Sequence, residues 1–265
     1  MTKIFGILNI TPDSFSDGGK FNTIEKAVSA SLIMVSDGAE IIDIGAESTR
    51  PNAEALTPEV EWERLKHILK EVKSTIPKNI EISIDTRNFK TAENCLKLGV
   101  DYINDVSGIS NKNMVSVVKN SDCKIVYMHS LSIPADKNII LDEGCDVIDV
   151  LSKWNEEKLE MFDKARISNN RLIFDAGLGF GKTAVQSLDI IKNFEQLKNN
   201  IKLPILIGHS RKSMYKHFGI DDANNRLTET IATSTYLTER NVDYLRVHDV
   251  AENFRAVKLT KYLLS

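Results

Sequence analysis

Cysteine and long apolar runs are both scarce in this 265-residue chain. Its three cysteines, Cys95, Cys123 and Cys145, match no zinc or redox spacing, and their number is odd. No apolar run approaches the roughly 20 residues that a membrane-spanning helix needs, and the first residues do not resemble a signal peptide. We therefore expect a soluble, cytoplasmic protein whose thiols are free.

A strong excess of charge of one sign is absent too. The formal net charge is -3, so the composition offers no general attraction for nucleic acid or for a membrane surface. Any anion site must therefore be built locally. The sequence also lacks an interdomain linker, a low-complexity tract and a solenoid repeat. These absences predict a single domain over residues 1–265.

Eight short apolar segments recur along the chain, and each is typical of a strand. Near-continuous Ile, Val and Leu suits strands that are buried on both faces, as in a parallel sheet. The predicted strands cover 4–9, 40–45, 81–86, 101–106, 124–129, 171–177, 204–210 and 243–249. The predicted helices cover 24–35, 57–75, 88–98, 111–119, 144–166, 185–199, 222–239 and 249–263. Thr57 and Pro58 suit the N-cap and first position of the second helix, and Gly99 suits a C-cap.

This alternation of strands and helices limits the fold to two candidates. Eight strands at an average spacing of about 34 residues suit a (β/α)8 barrel, which typically has about 250 residues. A doubly wound open sheet is the alternative. The count of eight and the chain length favour the α/β class with a TIM-barrel fold.

Polar residues stand where the predicted strands end. They are Asn9, Asp43, Asp85, Asn104, His129, Asp175, His209, and Arg246 with His248. Each one alone could cap a helix or bond a loop. Because the strand ends of a barrel share one rim, all of them together favour a ligand site there. The long polar loops after strands 1, 2 and 5 suit lids over that rim.

Seven motifs in register carry a resemblance that spans nearly the whole chain. They are ILNITPDSFSDGG, IIDIGAESTRP, ISIDT, INDVSG, GFGKT, SRKSM and RVHDV. Together they closely resemble the dihydropteroate synthase family of folate biosynthesis. That family joins 6-hydroxymethyl-7,8-dihydropterin pyrophosphate to p-aminobenzoate and releases pyrophosphate. The resemblance implies a pterin-binding barrel, these two small-molecule substrates, and a possible homodimer through the outer helices.

The resemblance also implies a set of pterin-binding residues. A pterin presents the amide and amino pattern of guanine, and carboxylate, amide and cationic groups suit that edge. The matching positions are Asp85, Asn104, Met128, Asp175, Phe180 and Lys212. Asp175 would accept hydrogen bonds from the 2-amino group and N3, and Lys212 would serve the carbonyl and a ring nitrogen. Lys212, Arg246, His248 and Asp85 are the predicted catalytic residues.

The remaining predicted roles concern pyrophosphate, magnesium and p-aminobenzoate. Asn9, Thr49, Arg50, Arg246 and His248 match the pyrophosphate positions, and Asn9 matches the family's Mg²⁺ ligand. Arg246 and His248 alternate along the last strand, so both can face a phosphate. Phe15, Pro51 and Ser213 match the p-aminobenzoate positions. SRKS is expected to open the seventh helix, whose N-terminus attracts anions. The chain offers no poised enzymic nucleophile, which suits an SN1-like substitution.

Two features of the sequence point elsewhere. AGLGFGKT, residues 176–183, nearly spells a nucleotide-binding phosphate loop, but Ala176 stands where its first glycine is required. Ala46, Ala176 and most of the loop 129–139 also depart from the family's usual wording. Two other functions therefore stay open: methyl transfer from methyltetrahydrofolate to a corrinoid protein, and a degenerate pterin binder without catalysis. The intact TPDSFSDGG, ESTRP and SRKS motifs argue against the first.

Overall fold

A computed structural model describes residues 2–10, 20–47 and 56–265, without the side chains of residues 20–23. Its strands are β1 (Lys3–Asn9), β2 (Ile41–Gly45), β3 (Glu81–Asp85), β4 (Tyr102–Asp105), β5 (Lys124–Met128), β6 (Leu172–Asp175), β7 (Ile205–Ile207) and β8 (Tyr244–Val247). Its α-helices are α1 (Lys20–Ser36), α2 (Pro58–Thr75), α3 (Phe89–Lys97), α4 (Lys112–Lys119), α5 (Val147–Lys164), α6 (Ala184–Lys192), α7 (Phe194–Ile201), α8 (Leu227–Glu239) and α9 (Val250–Leu264).

The strands form one closed ring. Every pair is parallel, and the order around the sheet follows the chain from β1 to β8. The ring closes because β1 pairs with both neighbours: Phe5 lies opposite Ile41 of β2 and opposite Arg246 of β8. The predicted (β/α)8 barrel is therefore confirmed. The open-sheet alternative is wrong, because a closed ring leaves no edge strand.

Alternation along each strand divides the core into two parts. In β2, Ile42 and Ile44 pack outward against the helices, whereas Ile41 belongs to the cluster inside the ring. That inner cluster consists of Phe5, Ile41, Tyr102, Val126, Ile173 and Leu206. Both faces of β2 are thus buried, as its near-continuous apolar sequence predicts. The inner cluster fills the ring below its C-terminal rim, which leaves the rim above this layer as the place for a ligand inside the barrel.

Two of the predicted helix ends agree with the structure. Thr57 is the N-cap of α2, where its side chain accepts a hydrogen bond from the Val60 N–H, and Pro58 is the first helical residue. Gly99 follows α3 with a φ of +76° and donates its N–H to the Leu96 carbonyl. The left-handed conformation that glycine tolerates therefore stops this helix.

Two helix predictions are wrong. The segment 185–199 is not one helix: α6 and α7 meet at Asn193, whose φ of -100° and ψ of 29° interrupt the helical backbone. SRKS does not open the helix before β8 either. Ser213 begins a short 3₁₀ helix, Ser213–Phe218, which ends at Gly219 with a φ of +81°. The α-helix starts later, at Leu227, because the 3₁₀ helix lies between the SRKS motif and α8.

The fold does not test two of the broader predictions, the cellular location and the number of domains. Within residues 2–10, 20–47 and 56–265, no helix is both long and apolar enough to cross a membrane. The cytoplasmic location and the single domain over 1–265 stay predictions.

Candidate active site

A cavity opens at the C-terminal rim of the barrel. It is lined by Asp85, Asn104, Val106, Met128, Asp175, Gly177, Leu178, Phe180, Gly208, Lys212 and Arg246. The lining includes all six positions predicted to bind pterin, together with Arg246. A wider groove on the outside, between α3 and α4, has none of these residues. The cavity at the rim is therefore the candidate active site.

Strand register brings the polar lining together. Asp85 of β3 lies opposite Gly45 of β2 and Asn104 of β4. Asp175 ends β6 opposite Met128 and Leu206. A side chain at residue 45 would bring its Cβ within 3.3 Å of the Asp85 Cβ, so glycine leaves room for the carboxylate. The rim thus gathers two acids and an amide from three strands.

Arg246 spans the floor of this cavity. Its Nε lies 2.5 Å from Asp43 Oδ2, and its Nη2 lies 2.6 Å from Asp85 Oδ2. Asn104 donates to the same Asp43 oxygen at 3.2 Å. Burial opposes the charge on Arg246, yet the two carboxylates raise its pKa. Burial also raises the pKa of Asp85 to about 7; Arg246 opposes this rise and Asp43 adds to it. A buried, charge-coupled network therefore lies at the base of the site.

Lys212 and Asp175 face the cavity on its other side. The Lys212 Nζ lies 4.5 Å from the centre of the Phe180 ring, a cation–π distance. Burial lowers the pKa of Lys212 to about 8, although Asp175 opposes this shift. Asp175 Oδ1 accepts the Gly177 N–H at 2.8 Å, and burial raises its pKa against the pull of Lys212 and Arg246. The site thus pairs a cation, an acid and an aromatic face.

An apolar wall completes the cavity. Val106, Met128 and Phe180 form one buried cluster, and Ile133 and Ala135 pack against it. The last two belong to the loop after β5, the segment that departs most from the usual family wording. The loop therefore supports, with apolar atoms, the three side chains that line the cavity, and an apolar wall suits a planar ring.

Comparison with known proteins decides the family. The model of the pterin binding enzymes matches residues 5–248. A dihydropteroate synthase of Clostridium beijerinckii is 38% identical over 265 residues, covering 99% of this chain and 94% of that protein. The type-3 dihydropteroate synthase of Escherichia coli is 35% identical, covering 99% of this chain and 100% of the relative.

The chain belongs to the dihydropteroate synthase family.

Solved structures of dihydropteroate synthases agree over the whole fold. The enzyme of Anaplasma phagocytophilum, with bound 6-hydroxymethylpterin-monophosphate, superposes with a TM-score of 0.90 at 36% identity and covers 99% of each chain. The enzyme of Xanthomonas albilineans in complex with 7,8-dihydropteroate superposes with a TM-score of 0.88 at 27% identity, covering 100% of this chain and 94% of that one.

Not every residue that the dihydropteroate synthase motifs suggest can be located. Phe15, Thr49, Arg50 and Pro51 lie outside the described residues. Asn9 ends β1, half-buried, opposite Gly45. Ser213 is exposed at the start of its 3₁₀ helix. His248 Nδ1 lies 3.0 Å from Ser210 Oγ, while Arg246 is held by two carboxylates. A joint grip of Arg246 and His248 on phosphate stays a prediction.

The expectation that all polar strand ends converge on the rim is wrong for two histidines. Because Val126 and Leu206 point inward, alternation turns residues 129 and 209 toward the helices. His129 packs edge-on against Trp154 of α5, with 5.1 Å between ring centres. His209 Nε2 lies 2.8 Å from Ser234 Oγ of α8. Both side chains are buried outside the cavity.

The motif analysis missed two contributions, and it named a third residue, Asp43, only as a polar strand end. Asp43 acts as the partner of Arg246 at the base of the cavity. Glu47 of the ESTRP motif forms a two-pronged ion pair with Arg87, both contacts at 2.9 Å. Lys182 is buried beside the site, although no role was predicted for it within the GFGKT motif. The pairing of Asp43 with Arg246 and the contacts of Glu47 and Lys182 all depend on tertiary structure.

The phosphate-loop likeness does not extend to structure. The N–H groups of Gly177 and Gly179 are donated to Asp175 and to the Ser187 hydroxyl. The N–H of Phe180 is donated to the Gly177 carbonyl. These groups cannot cradle a phosphate, as the N–H groups of a true phosphate loop do. The geometry therefore disfavours nucleotide binding at this turn.

Burial of His209 makes the fold acid-sensitive. Burial lowers its pKa to about 4, so between pH 6.5 and 4 the unfolded chain binds a proton that the folded chain refuses. Stability therefore falls as the pH falls through this window, by about 3 kcal/mol for this group. We expect His209→Gln to flatten the acid limb of the unfolding free energy measured by urea titration. His67→Gln, at an exposed position of α2, is the control. Identical acid limbs in wild type and His209→Gln contradict this assignment.

Proposed function

We propose that this chain joins 6-hydroxymethyl-7,8-dihydropterin pyrophosphate to p-aminobenzoate, giving 7,8-dihydropteroate and pyrophosphate, a step of folate biosynthesis. The observation that carries the proposal is the single cavity that brings together Asp85, Asn104, Asp175 and Lys212. Relatives of this family support it: they have been solved with a pterin monophosphate, with 4-aminobenzoic acid and with dihydropteroate. The methyl-transfer alternative has no such support from the full-length relatives.

Recognition of the pterin follows from the polarity of the lining. The 2-amino group and N3 of the pterin are donors, and Asp175 supplies carboxylate oxygens to accept from them. Lys212 donates to the ring carbonyl and a ring nitrogen. Asp85 and Asn104 bond the remaining ring positions, and the faces of Met128 and Phe180 cover the plane of the heterocycle. Each ring edge thus meets a group of matching polarity.

The bond exchange needs no covalent enzyme intermediate. The C–O bond between the pterin methylene and pyrophosphate breaks, and its electron pair leaves with pyrophosphate. The electron-rich dihydropterin stabilises the resulting cation on the methylene carbon. The amine of p-aminobenzoate then forms the C–N bond and loses one proton to solvent. The enzyme's contribution is to position both substrates and to stabilise the charge that develops on the leaving group.

Arg246 is a cation available to that leaving group. It carries five N–H donors, and its contacts with Asp43 and Asp85 use Nε and Nη2. The remaining donors can meet a pyrophosphate oxygen without breaking the network. His248 lies at the same strand end, next to Ser210. We assign these two residues to the diphosphate side of the cavity.

Magnesium is the metal that suits this rim. Among the residues that the structure describes, no group of three His, Cys, Asp or Glu side chains forms a metal site. Mg²⁺ commonly needs only one or two protein oxygens, because substrate phosphates supply others. The Asn9 amide is such a donor, and Asp43 Oδ1 is a buried oxygen without a hydrogen-bond partner among the described residues. When bound, the ion would neutralise charge on pyrophosphate.

A product assay tests the function directly. We expect purified protein with dihydropterin pyrophosphate, p-aminobenzoate and Mg²⁺ to release dihydropteroate and pyrophosphate in equal amounts. A sulfonamide, which mimics p-aminobenzoate, should raise the KM for p-aminobenzoate and leave the maximal rate unchanged. Pterin binding without any product would instead support the degenerate-binder alternative. Cytoplasmic location and a homodimer remain part of the proposal.

A further inference from the structure

Among the described residues, no carboxylate contacts the buried side chain of Lys182. Its side chain is 5% exposed, and its Nζ lies 2.8 Å from His129 Nδ1. The same ammonium group donates to the carbonyls of Gly177 and Phe180, both at 3.1 Å, and reaches the His129 carbonyl at 3.4 Å. Because burying a charge is costly, a set of four neutral acceptors around one ammonium needs an explanation.

The acceptors come from two different parts of the barrel. His129 follows β5, whereas Gly177 and Phe180 belong to the turn between β6 and α6, defined here as residues 176–183. The Lys182 side chain therefore ties this turn to the end of the neighbouring strand. Gly177 has a φ of +63°, and a Cβ there would lie 2.0 Å from the His129 carbonyl oxygen. Only glycine allows the turn to come this close.

The tied turn holds two groups of the cavity: it contains Phe180, and it hydrogen-bonds to Asp175 at the end of β6. The Gly177 N–H donates to Asp175 Oδ1 at 2.8 Å, and the Gly177 carbonyl accepts from the Lys182 ammonium. The backbone of one residue therefore contacts both the carboxylate and the lysine. The Phe180 ring lines the cavity, with its centre 4.5 Å from the Lys212 ammonium, and the Phe180 carbonyl accepts a hydrogen bond from Lys182. A shift of this turn would therefore move the acid and the ring together.

We infer that Lys182 is a positioning residue for pterin binding, which acts by fixing the turn 176–183 and, through it, Asp175 and Phe180. The inference rests on the proposed function, because it assigns the cavity to the pterin. Lys182 does not line the cavity itself. Its effect on the pterin is transmitted through Asp175 and Phe180, which do line the cavity.

The charges around Lys182 agree with this role. Burial lowers the pKa of His129 to about 3, and the lysine charge adds to this effect, so the imidazole is neutral and its Nδ1 can accept. Burial also lowers the pKa of Lys182 to about 7, with Asp175 opposing and Lys212 adding to the shift. A neutral amine still donates two N–H groups, so the tie survives at higher pH.

Replacement of Lys182 by methionine tests the inference, since methionine keeps most of the length and removes the donors. We expect the KM for dihydropterin pyrophosphate to rise at least tenfold, while the KM for p-aminobenzoate changes less than twofold. Calorimetry with 6-hydroxymethylpterin monophosphate should give a matching loss of affinity. Lys192→Met, at the exposed end of the same α6 helix, is the control. Equal changes in both KM values, or an unchanged pterin affinity, overturn the inference.

A second variant guards against a folding defect in the first. His129→Ala removes one acceptor and leaves the ammonium in place, so we expect a smaller loss of the same pterin-specific kind. The double variant should bind pterin no worse than Lys182→Met alone, because both changes break one tie. Fully additive losses contradict the shared tie. Wild-type protein that binds pterin without making product refutes the proposed function only, and the calorimetry still decides the role of Lys182.

Discussion

Replacing Lys212 by alanine should reduce kcat/KM for dihydropteroate synthesis by roughly 10²–10³-fold, the usual effect of losing one preorganised donor. The Lys212 ammonium is half-buried at the rim, 4.5 Å from the Phe180 ring and coupled electrostatically to Asp175. It is therefore placed to donate to the pterin while charge shifts in the ring. Steady-state kinetics with both substrates measures the loss. Lys216→Ala, at an exposed position of the 3₁₀ helix that follows Lys212, serves as the control.

The pH profile distinguishes the charge of Lys212 from its bulk. Because burial lowers the pKa of Lys212 to about 8, the ammonium is present below that pH and is lost above it. The activity of the wild type should therefore decline as the pH rises through 8. Lys212→Arg, which stays charged, should keep part of the activity and lose this alkaline decline. Alanine and wild-type enzymes with equal kcat/KM would refute the role of Lys212.

The barrel was predictable because its signals are local. EIIDIG reads as a strand buried on both faces, and the structure buries every residue of β2. Thr57 and Pro58 mark a helix start by chemistry that acts within one turn. The break at Asn193 was missed because periodicity continues across it: Ile190, Phe194 and Leu197 are all buried. A regular apolar pattern cannot reveal a change in backbone direction between two short helices.

The sequence predicts which residues line the cavity better than it predicts which of them contact one another. Alternation along the strands assigns Asp85, Asn104 and Asp175 to the inside of the ring, and it also excludes His129 and His209 when applied to β5 and β7. The contacts of Arg246 are different in kind. Its two carboxylate partners lie 203 and 161 residues away in the chain. Which charges meet across a barrel depends on the closed ring and cannot be read from any local window.

Lys182 illustrates a third kind of limit. Its local sequence, GFGKT, is one of the seven family motifs and also resembles a phosphate loop, so the motif alone assigns no role to the lysine. In the structure, the Lys182 ammonium group contacts the His129 ring and donates to two carbonyls of its own turn. A short pattern of glycines and lysine is compatible with either arrangement, because both use left-handed glycines. Only the neighbouring strand end decides which one forms.

Replacing Asp175 by asparagine should weaken pterin binding roughly 10- to 150-fold, since a hydrogen bond to a charged group is worth about 1.5–3 kcal/mol. Asparagine has nearly the same shape, and its Oδ1 can still accept the Gly177 N–H that Asp175 accepts at 2.8 Å. It supplies one acceptor and one donor group where the aspartate supplies two acceptors, so the pterin N3 and 2-amino group lose a partner. Calorimetric titration with 6-hydroxymethylpterin monophosphate measures the change.

The same substitution should leave the folded state as stable as before, or more stable. Burial raises the pKa of Asp175 above its usual value, so ionising this carboxyl costs more in the folded protein than in the unfolded chain. That penalty grows as the pH rises above the usual pKa of the side chain, is complete above the raised pKa, and disappears when the side chain is a neutral amide. Thermal unfolding of the ligand-free protein tests this point, with Asp163→Asn at an exposed position of α5 as the matched control. Higher thermal stability together with weaker pterin binding would show that Asp175 serves ligand binding at the expense of stability. A large loss of stability with unchanged pterin affinity would instead make it part of the barrel's framework.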